Sequence, residues 1–461
     1  METAAETKKF SRSFWVANSV ELLERLAYYG FFIVITLYLS NVWGFSDIEA
    51  GVISAIFSSS LYLLPLFSGA YADKIGFRSA IIVAFSLLSL GYLGLAILPT
   101  LLESAGLVTY GMKTVFTGLN ESYLRWSILP VLLLIVTGGA FIKSVISGTV
   151  ARETTSENRA RGYSIFYMMV NIGAFMGKTI VDPLRKSMGD QGLVYINFFA
   201  AGVTLVAVII VILLYKSTKT EGKGKSFAEI GKSMLKVLSN VKLMVLILIV
   251  SGFWIVQSQL YATMPKYVIR LIGDDASPGW YANANPLIVF VLVNFITSFM
   301  KKRKALTSMM IGMLLIPLSA LTMSFGNQIH TNAILGLHPV AFMMILGIGL
   351  QAIAECFISP RYLEFFSLQS PKGEEGLYLG FSHLHSFFSY LLAFGLSGFL
   401  LEKYCPDPRN FSSPEAYAVA TEHAHYIWYY FVGIGLIAGV ALFIYGKITK
   451  HDVENVADEV N

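Results

Sequence analysis

About twelve apolar runs, each near the roughly 20 residues that cross a bilayer, decide what this chain can fold into. They cover approximately 14–40, 47–72, 78–102, 126–151, 162–184 and 192–215, then 241–269, 278–300, 304–325, 339–366, 374–401 and 424–447. Backbone amides in hydrocarbon must be satisfied within the chain, so the runs are read as transmembrane helices. Composition agrees, with 55% hydrophobic and 14% charged residues against about 25% charged in soluble domains. The net charge of +5 is no nucleic-acid footprint, because the bases cluster between the runs. The two cysteines, Cys356 and Cys405, stand in different settings and suggest neither a disulfide nor a metal site. The first run is too long and too charged for a cleaved leader, and is read as a retained helix.

The even-numbered connections carry the bases: Lys74 and Arg78; Arg152, Arg159 and Arg161; seven lysines from Lys216 to Lys242; and Lys301 to Lys304. The positive-inside rule then places both termini in the cytoplasm. The long basic connection divides the chain into an N-terminal bundle over 1–215, a linker over 216–240 and a C-terminal bundle over 241–461. In the linker, Phe227, Ile230, Met234, Leu235 and Leu238 fit a short amphipathic helix on a membrane surface; the competing reading is a solvated linker. Six spans plus six suggest two related bundles that rock about a midplane site. The fold class expected is an all-α membrane protein, two six-helix bundles around a central cavity. The outer loop 103–125 is long and is assigned no role.

Inside the first run, Glu21, Glu24, Arg25 and Tyr28 fall at i, i+3, i+4 and i+7, on one helix face. An ionisable group at bilayer depth costs roughly 2.5–3.5 kcal/mol on insertion scales, so this face must meet partners or water. Lys143 in the fourth run brings the formal sum of Glu21, Glu24, Arg25 and Lys143 to zero. Protonation of one glutamate would make the cluster net positive and attractive to a carboxylate. In the second half, Glu355 is the acid at mid-depth, which should take up a proton or find a cation. A zwitterion two or three residues long matches this pair of poles, provided the first, fourth and tenth helices converge. The competing readings are a structural ion pair for Glu21, Glu24 and Arg25, a snorkelling Lys143, and interhelical hydrogen bonding for Asn171 and Asn285. Lys178 is read as snorkelling from the outer end of the fifth span. His383 and His385 diverge on a helix and are poor metal ligands.

Two motifs carry family resemblances. Gly69, Ala70, Asp73, Lys74, Gly76 and Arg78, between the second and third runs, resemble the signature loop of the major facilitator superfamily. The resemblance implies that fold and a gating role for Gly69, Asp73, Lys74, Gly76 and Arg78. The stretch Glu21-x-x-Glu24-Arg25-x-x-Tyr28-Tyr29-Gly30 resembles the signature of the proton-coupled oligopeptide transporters. So do Gly138-Gly139 with Lys143, Phe166-Tyr167 with Asn171-Ile172-Gly173, Phe253-Trp254 with Gln259, Asn285-Pro286, and Glu355 with Ser359-Pro360. Leu26 stands where an aromatic residue is common. Ser258 stands where several bacterial members have an acid, and the linker is too short for the two extra helices of many members.

The resemblance implies proton-coupled uptake of di- and tripeptides by alternating access. Glu21, Glu24, Arg25 and Lys143 would couple protons. Arg25 and Lys143 would receive the substrate carboxylate, and Glu355, with Asn285 and Asn171, its amino terminus. Tyr28, Tyr29, Tyr167, Trp254 and Gln259 would line the substrate. With Ser258 neutral, Lys143 pairs within its own half. The alternative is transport of another small anion or zwitterion, such as nitrate, an amino-acid conjugate or a drug; a non-transporting membrane sensor is the third class. No nucleophile-base pair, metal cluster or phosphate loop suggests an enzyme, and no cofactor is implied. The partners expected are short peptides, protons and the lipid of a prokaryotic cytoplasmic membrane, with no nucleic acid and a functional monomer.

Overall fold

The computed structural model describes residues 10–65, 67–68, 72, 75–119, 122–155, 158–216, 227–368 and 381–449. In the first half the helices are α1 (Arg12–Phe32), α2 (Ile35–Asn41), α3 (Asp47–Leu63), α4 (Phe77–Ser104), α5 (Ile128–Arg152), α6 (Arg159–Met188) and α7 (Asp190–Leu214). The linker helix α8 (Phe227–Leu238) follows, twelve residues long. The second half holds α9 (Val241–Gln257), α10 (Gln259–Ala262), α11 (Met264–Ile272), α12 (Pro278–Ala282), α13 (Ala284–Met300), α14 (Ala305–Ser324), α15 (Pro339–Leu368), α16 (Leu384–Tyr404), α17 (Pro414–Thr421) and α18 (Tyr426–Ile448).

Among the described residues ten helices are long and apolar enough to cross a membrane, or eleven when α1 and α2, bent by 48° at their junction, count as one. The second expected span begins as α3, 17 residues long, and continues into positions only partly described. The chain is an integral membrane protein, and each of the twelve expected runs contains helix. The amphipathic reading of 227–238 agrees with α8; residues 217–226 lie outside the described residues.

The chain falls into two compact units. One comprises Met1–Gly44 and Leu63–Ile230, the other Phe45–Tyr62 and Gly231–Asn461. Most of α3 therefore belongs with the second unit, which the division at 216–240 did not foresee. The cause is local. Gly398 of α16 leaves so little room that a Cβ there would come within 2.4 Å of the Asp47 carbonyl, and Asp47 is ion-paired to α11 (below).

In the first unit α1 is buried nearly all round, as a helix in a bundle interior must be. Its start is capped by Ser11, whose Oγ accepts from the Phe14 N–H at 3.0 Å. It packs on α5, α6 and α7. Gly173 and Gly177 of α6 set the closest approach: a Cβ at either would meet a carbonyl of α1, Leu22 or Leu26, at 2.5 Å. Membrane helices associate this way because dispersion contacts grow as backbones near, with no hydrophobic drive to help. The same contact puts the base of Arg25 against Gly173 and so fixes the height of the charged face.

The loop 103–125 carries a two-stranded antiparallel ribbon, β1 (Val108–Thr109) with β2 (Val115–Phe116), pairing Val108 with Phe116. Asp190 anchors it: its carboxylate accepts from Thr114 N–H and Oγ1 at 3.2 and 2.9 Å, and from Asn41 Nδ2 at 2.7 Å.

In the second unit α14 packs on α15 and α18, α13 on α15, and α9 on α16 and α18. Gly312 of α14 lies against the Ala354 carbonyl, where a Cβ would come within 2.6 Å. This close seat holds the α15 turn that carries Glu355.

Candidate functional site

The charged face of α1 is dry and paired. Glu21, Glu24 and Arg25 are 2%, 4% and 8% exposed. Arg25 Nε donates to Glu21 Oε1 at 2.7 Å and lies 2.9 Å from Glu24 Oε2. One guanidinium thus serves two carboxylates, one a turn earlier and one adjacent. Its carbon lies 5.9 Å from the Tyr28 ring centre, and Tyr28 stacks on Phe32 at 4.9 Å. Lys143 of α5 is half-buried and within electrostatic reach of Glu24, Glu21 and Arg25. The first unit therefore brings together the four charges with a formal sum of zero. In a low dielectric such a group is tolerable only while the balance holds.

Nearby, Lys178 departs from expectation. It is 1% exposed, with its ammonium 5.7 Å from the Tyr29 ring centre. It is enclosed by the α1–α6 contact and does not snorkel. Asp182 and Arg185, at i+4 and i+7 from it on α6, are also buried. Tyr167 is exposed and Asn171 half-buried; the Asn171 amide donates to the Tyr167 carbonyl at 2.8 Å, one turn back in α6.

The second unit builds the opposite pole. Glu355 of α15 accepts at Oε2 from Gln257 Nε2 at 2.9 Å and from Asn285 Nδ2 at 3.0 Å. The Gln257 amide oxygen is buried without a hydrogen-bond partner among the described residues, as is the Trp254 indole N–H. Trp254 lies against His385 at 5.2 Å between ring centres. His385 itself is buried, its ring nitrogens engaged by the Ser382 carbonyl at 2.6 Å and Ser386 Oγ at 3.1 Å.

Gln259 is not part of this pole. It is 0% exposed; its Nε2 donates to the Ile255 carbonyl at 2.9 Å and its Oε1 accepts from Thr263 at 2.6 Å. The family resemblance named Gln259, whereas the glutamine bonded to Glu355 is Gln257. The helix breaks at Ser258, where α9 ends and α10 begins. The break leaves Gln257 facing Glu355, while Gln259 is held by the Ile255 carbonyl and the Thr263 hydroxyl. The presence of a second glutamine two residues away was the available signal.

Of the gating loop, Gly69, Asp73 and Lys74 lie outside the described residues. Gly76 has φ +83°, a left-handed conformation that glycine adopts without steric cost. Arg78 Nη2 donates to the Ile212 carbonyl at 2.8 Å, tying the start of α4 to the end of α7. Arg361 is held by Glu364 Oε2 at 2.6 Å and by the Met300 carbonyl, away from Glu355.

A second buried charge cluster was missed altogether. Asp47, at the start of α3, accepts from Lys266 Nζ at 2.6 Å and from Arg270 Nη1 and Nη2 at 2.7 and 2.9 Å. Arg270 also donates to the Cys405 carbonyl at 2.7 Å and lies 3.5 Å from Asp407. The Asp47, Lys266 and Arg270 side chains are at most 5% exposed. Read along the sequence, Asp47 resembles a helix-start acid and the two bases resemble snorkelling residues. Only the tertiary placement of the α3 start beside Lys266 and Arg270 of α11 makes them a unit.

Comparison with known proteins follows the same lines. The Major Facilitator Superfamily profile matches residues 18–337. A dipeptide and tripeptide permease A of Erwinia pyrifoliae is 25% identical over 260 residues, 56% of this chain and 47% of the relative. Another, from Citrobacter koseri, is 22% identical over 431 residues, 81% of each chain. In the first of these alignments, and in several like it, the chain spans about half the length of the curated relatives it matches. A solved structure of the POT family transporter PepTSo superposes with a TM-score of 0.72 at 17% identity, over 96% of this chain and 99% of that one. A structure described under proton dependent oligopeptide transporters gives 0.69 at 19% identity, over 95% and 99%. The profile covers well over half of the chain and the superpositions nearly all of it: the chain belongs to the major facilitator superfamily, with the fold of the proton-dependent oligopeptide transporters.

Proposed function

We propose that this protein is a secondary transporter that takes up di- and tripeptides together with protons. The observation that carries the reading is the pair of opposite poles, each complete within its own unit. In the first, Arg25 and Lys143 are balanced by Glu21 and Glu24. Protonation of one glutamate leaves a cationic excess that a peptide carboxylate neutralises. Arg25 Nε makes its hydrogen bond to Glu21, whereas Glu24 Oε2 has ion-pair contact but no hydrogen bond among the described residues. Glu24 is therefore the proton carrier in this reading and Glu21 the anchor of the guanidinium.

In the second unit the Glu355 carboxylate and the unpartnered Gln257 oxygen together present acceptors suited to an ammonium group. The Asn285 and Gln257 amides hold the carboxylate in place. The indole N–H of Trp254 adds a donor for a peptide carbonyl. Tyr28, Tyr29 and Tyr167 line the substrate, and Asn171 offers it a polar contact. Peptide permeases are among the relatives in sequence, and peptide transporters among the structures of like fold, which supports the same substrate class. The loop from Gly69 to Arg78 serves gating. In this reading the protein lies in a prokaryotic cytoplasmic membrane, both termini inside, and works as a single chain.

The test is uptake of a labelled dipeptide into proteoliposomes under an imposed inward proton gradient. Acceleration by the gradient and competition by unlabelled dipeptides are expected. Uptake of the label that an excess of unlabelled dipeptide fails to compete would be leak and would refute a peptide site. Absence of gradient dependence would refute proton coupling.

A further inference from the structure

The second unit contains a cavity that the peptide reading does not use. It has a volume of about 380 Å³ and lies between the start of α14 and the end of α18. That is within the roughly 300–1,000 Å³ of small-ligand pockets. Lys304 and Lys447 line it, one from each side, with Thr307, Ile311, Phe443 and Gly446 among the remaining wall. Both lysines are exposed. Lys447 is steadied over the Phe443 ring, with its ammonium 4.5 Å from the ring centre. Lys304 is the cap residue of α14 and supplies no side-chain acceptor to the first turn. The positive end of a 20-residue helix therefore adds to the two ammonium groups. Gly446 leaves the mouth open where a larger residue would fill it.

Away from the lysines the two helices carry a continuous apolar strip. On α14, Thr307, Ile311, Leu314 and Leu318 follow at intervals of four, three and four. On α18, Lys447, Phe443, Val440 and Leu436 do the same in reverse. Leu314, Leu318, Leu436, Val440 and Phe443 are all exposed. The two strips run from a cationic, roomy end into the hydrocarbon-facing part of a helix pair that packs directly together. Charge at one end and apolar surface beyond it is the complement of one kind of molecule, an anionic head joined to acyl chains.

We propose that this cavity binds an anionic glycerophospholipid, with its phosphate between Lys304 and Lys447 and its acyl chains along the α14–α18 strip. A water-soluble anion would use the lysines but not the strip. A neutral lipid would use the strip but not the lysines.

The test is native mass spectrometry of the full chain in detergent, titrated with dioleoyl-phosphatidylglycerol or dioleoyl-phosphatidylcholine. One equivalent of the anionic lipid should be retained at least tenfold more tightly than the neutral one. Each lysine near an anionic lipid contributes roughly a fivefold factor, so Lys304→Gln with Lys447→Gln should weaken retention about 25-fold. The neighbouring pair Lys301→Gln with Lys302→Gln carries the same change of charge outside the cavity and should leave retention within threefold. Equal retention of the two lipids would overturn the proposal, as would equal damage from the two double variants. Displacement by millimolar inorganic phosphate would make it a soluble-anion site. Residues 450–461 include Asp452, Glu454, Asp458 and Glu459. Binding that appears only after their removal would assign the cavity to that segment and overturn the proposal.

Discussion

Replacing Asp47 by asparagine removes the shared anion of two buried cations, and the structure allows its cost to be worked out. Asp47 holds Arg270 in a two-pronged pair at 2.7 and 2.9 Å and Lys266 at 2.6 Å. Charge-assisted bonds of this geometry are the strong ones, and the two-pronged pair is lost because an amide offers one acceptor. Removing one partner of a buried ion pair costs about 3–5 kcal/mol, mostly because the remaining charge is left without compensation. Asp407, at 3.5 Å from Arg270, offsets part of this, so about 3 kcal/mol is expected, more than a hundredfold in the unfolding equilibrium. Lys266→Gln is milder, about 1–3 kcal/mol, because Asp47 keeps both bonds to Arg270. Combining Asp47→Asn with Lys266→Gln removes an acid and a base together. The double variant should be at least about 1 kcal/mol more stable than the sum of the single effects predicts. Equilibrium unfolding of the four proteins in one detergent measures the cycle. An Asp47→Asn change below about 1 kcal/mol, or strict additivity, would refute the reasoning that this cluster is a coupled charge unit.

Two further outcomes follow from the two poles, and a third from Gln259. Glu355→Gln should raise the dipeptide concentration for half-maximal uptake at least about tenfold, since an ion-paired ammonium loses roughly 1.5–3 kcal/mol, while a fluorescence-detected elution profile stays that of the parent. Glu24→Gln should abolish gradient-driven uptake yet retain peptide exchange across liposomes without a gradient; persistence of gradient-driven uptake would move the proton elsewhere. Gln259→Ala should lower stability by about 1 kcal/mol, because it removes two buried hydrogen bonds while Thr263 keeps Ser397 Oγ at 2.7 Å, with the half-saturating dipeptide concentration within threefold of the parent in competition assays.

Much of this protein is legible along the chain, because hydrocarbon admits few solutions. Backbone groups must be satisfied locally, so run length alone yields the helices, and the cost of a lone charge makes Glu21, Glu24, Arg25, Lys143 and Glu355 conspicuous. Local chemistry is also readable: Gly76 adopts a positive φ that glycine takes without steric cost, and Glu21 reaches Arg25 at the i, i+4 spacing its position implies. What the sequence could not determine depends on rotation and on long-range pairing. Gln257, and not Gln259, meets Glu355, because the helix break at Ser258 changes the phase between the two glutamines. Lys178 looks like an interfacial base until α1 closes over it at the Gly173 and Gly177 contacts. Asp47 meets Lys266 and Arg270 across 219 and 223 residues, and no local pattern encodes a partner at that distance. Hydropathy and the price of buried charge therefore determined which segments enter the membrane and which residues need company. Only tertiary packing, which sets helix phase and brings distant turns together, decided which companions they have.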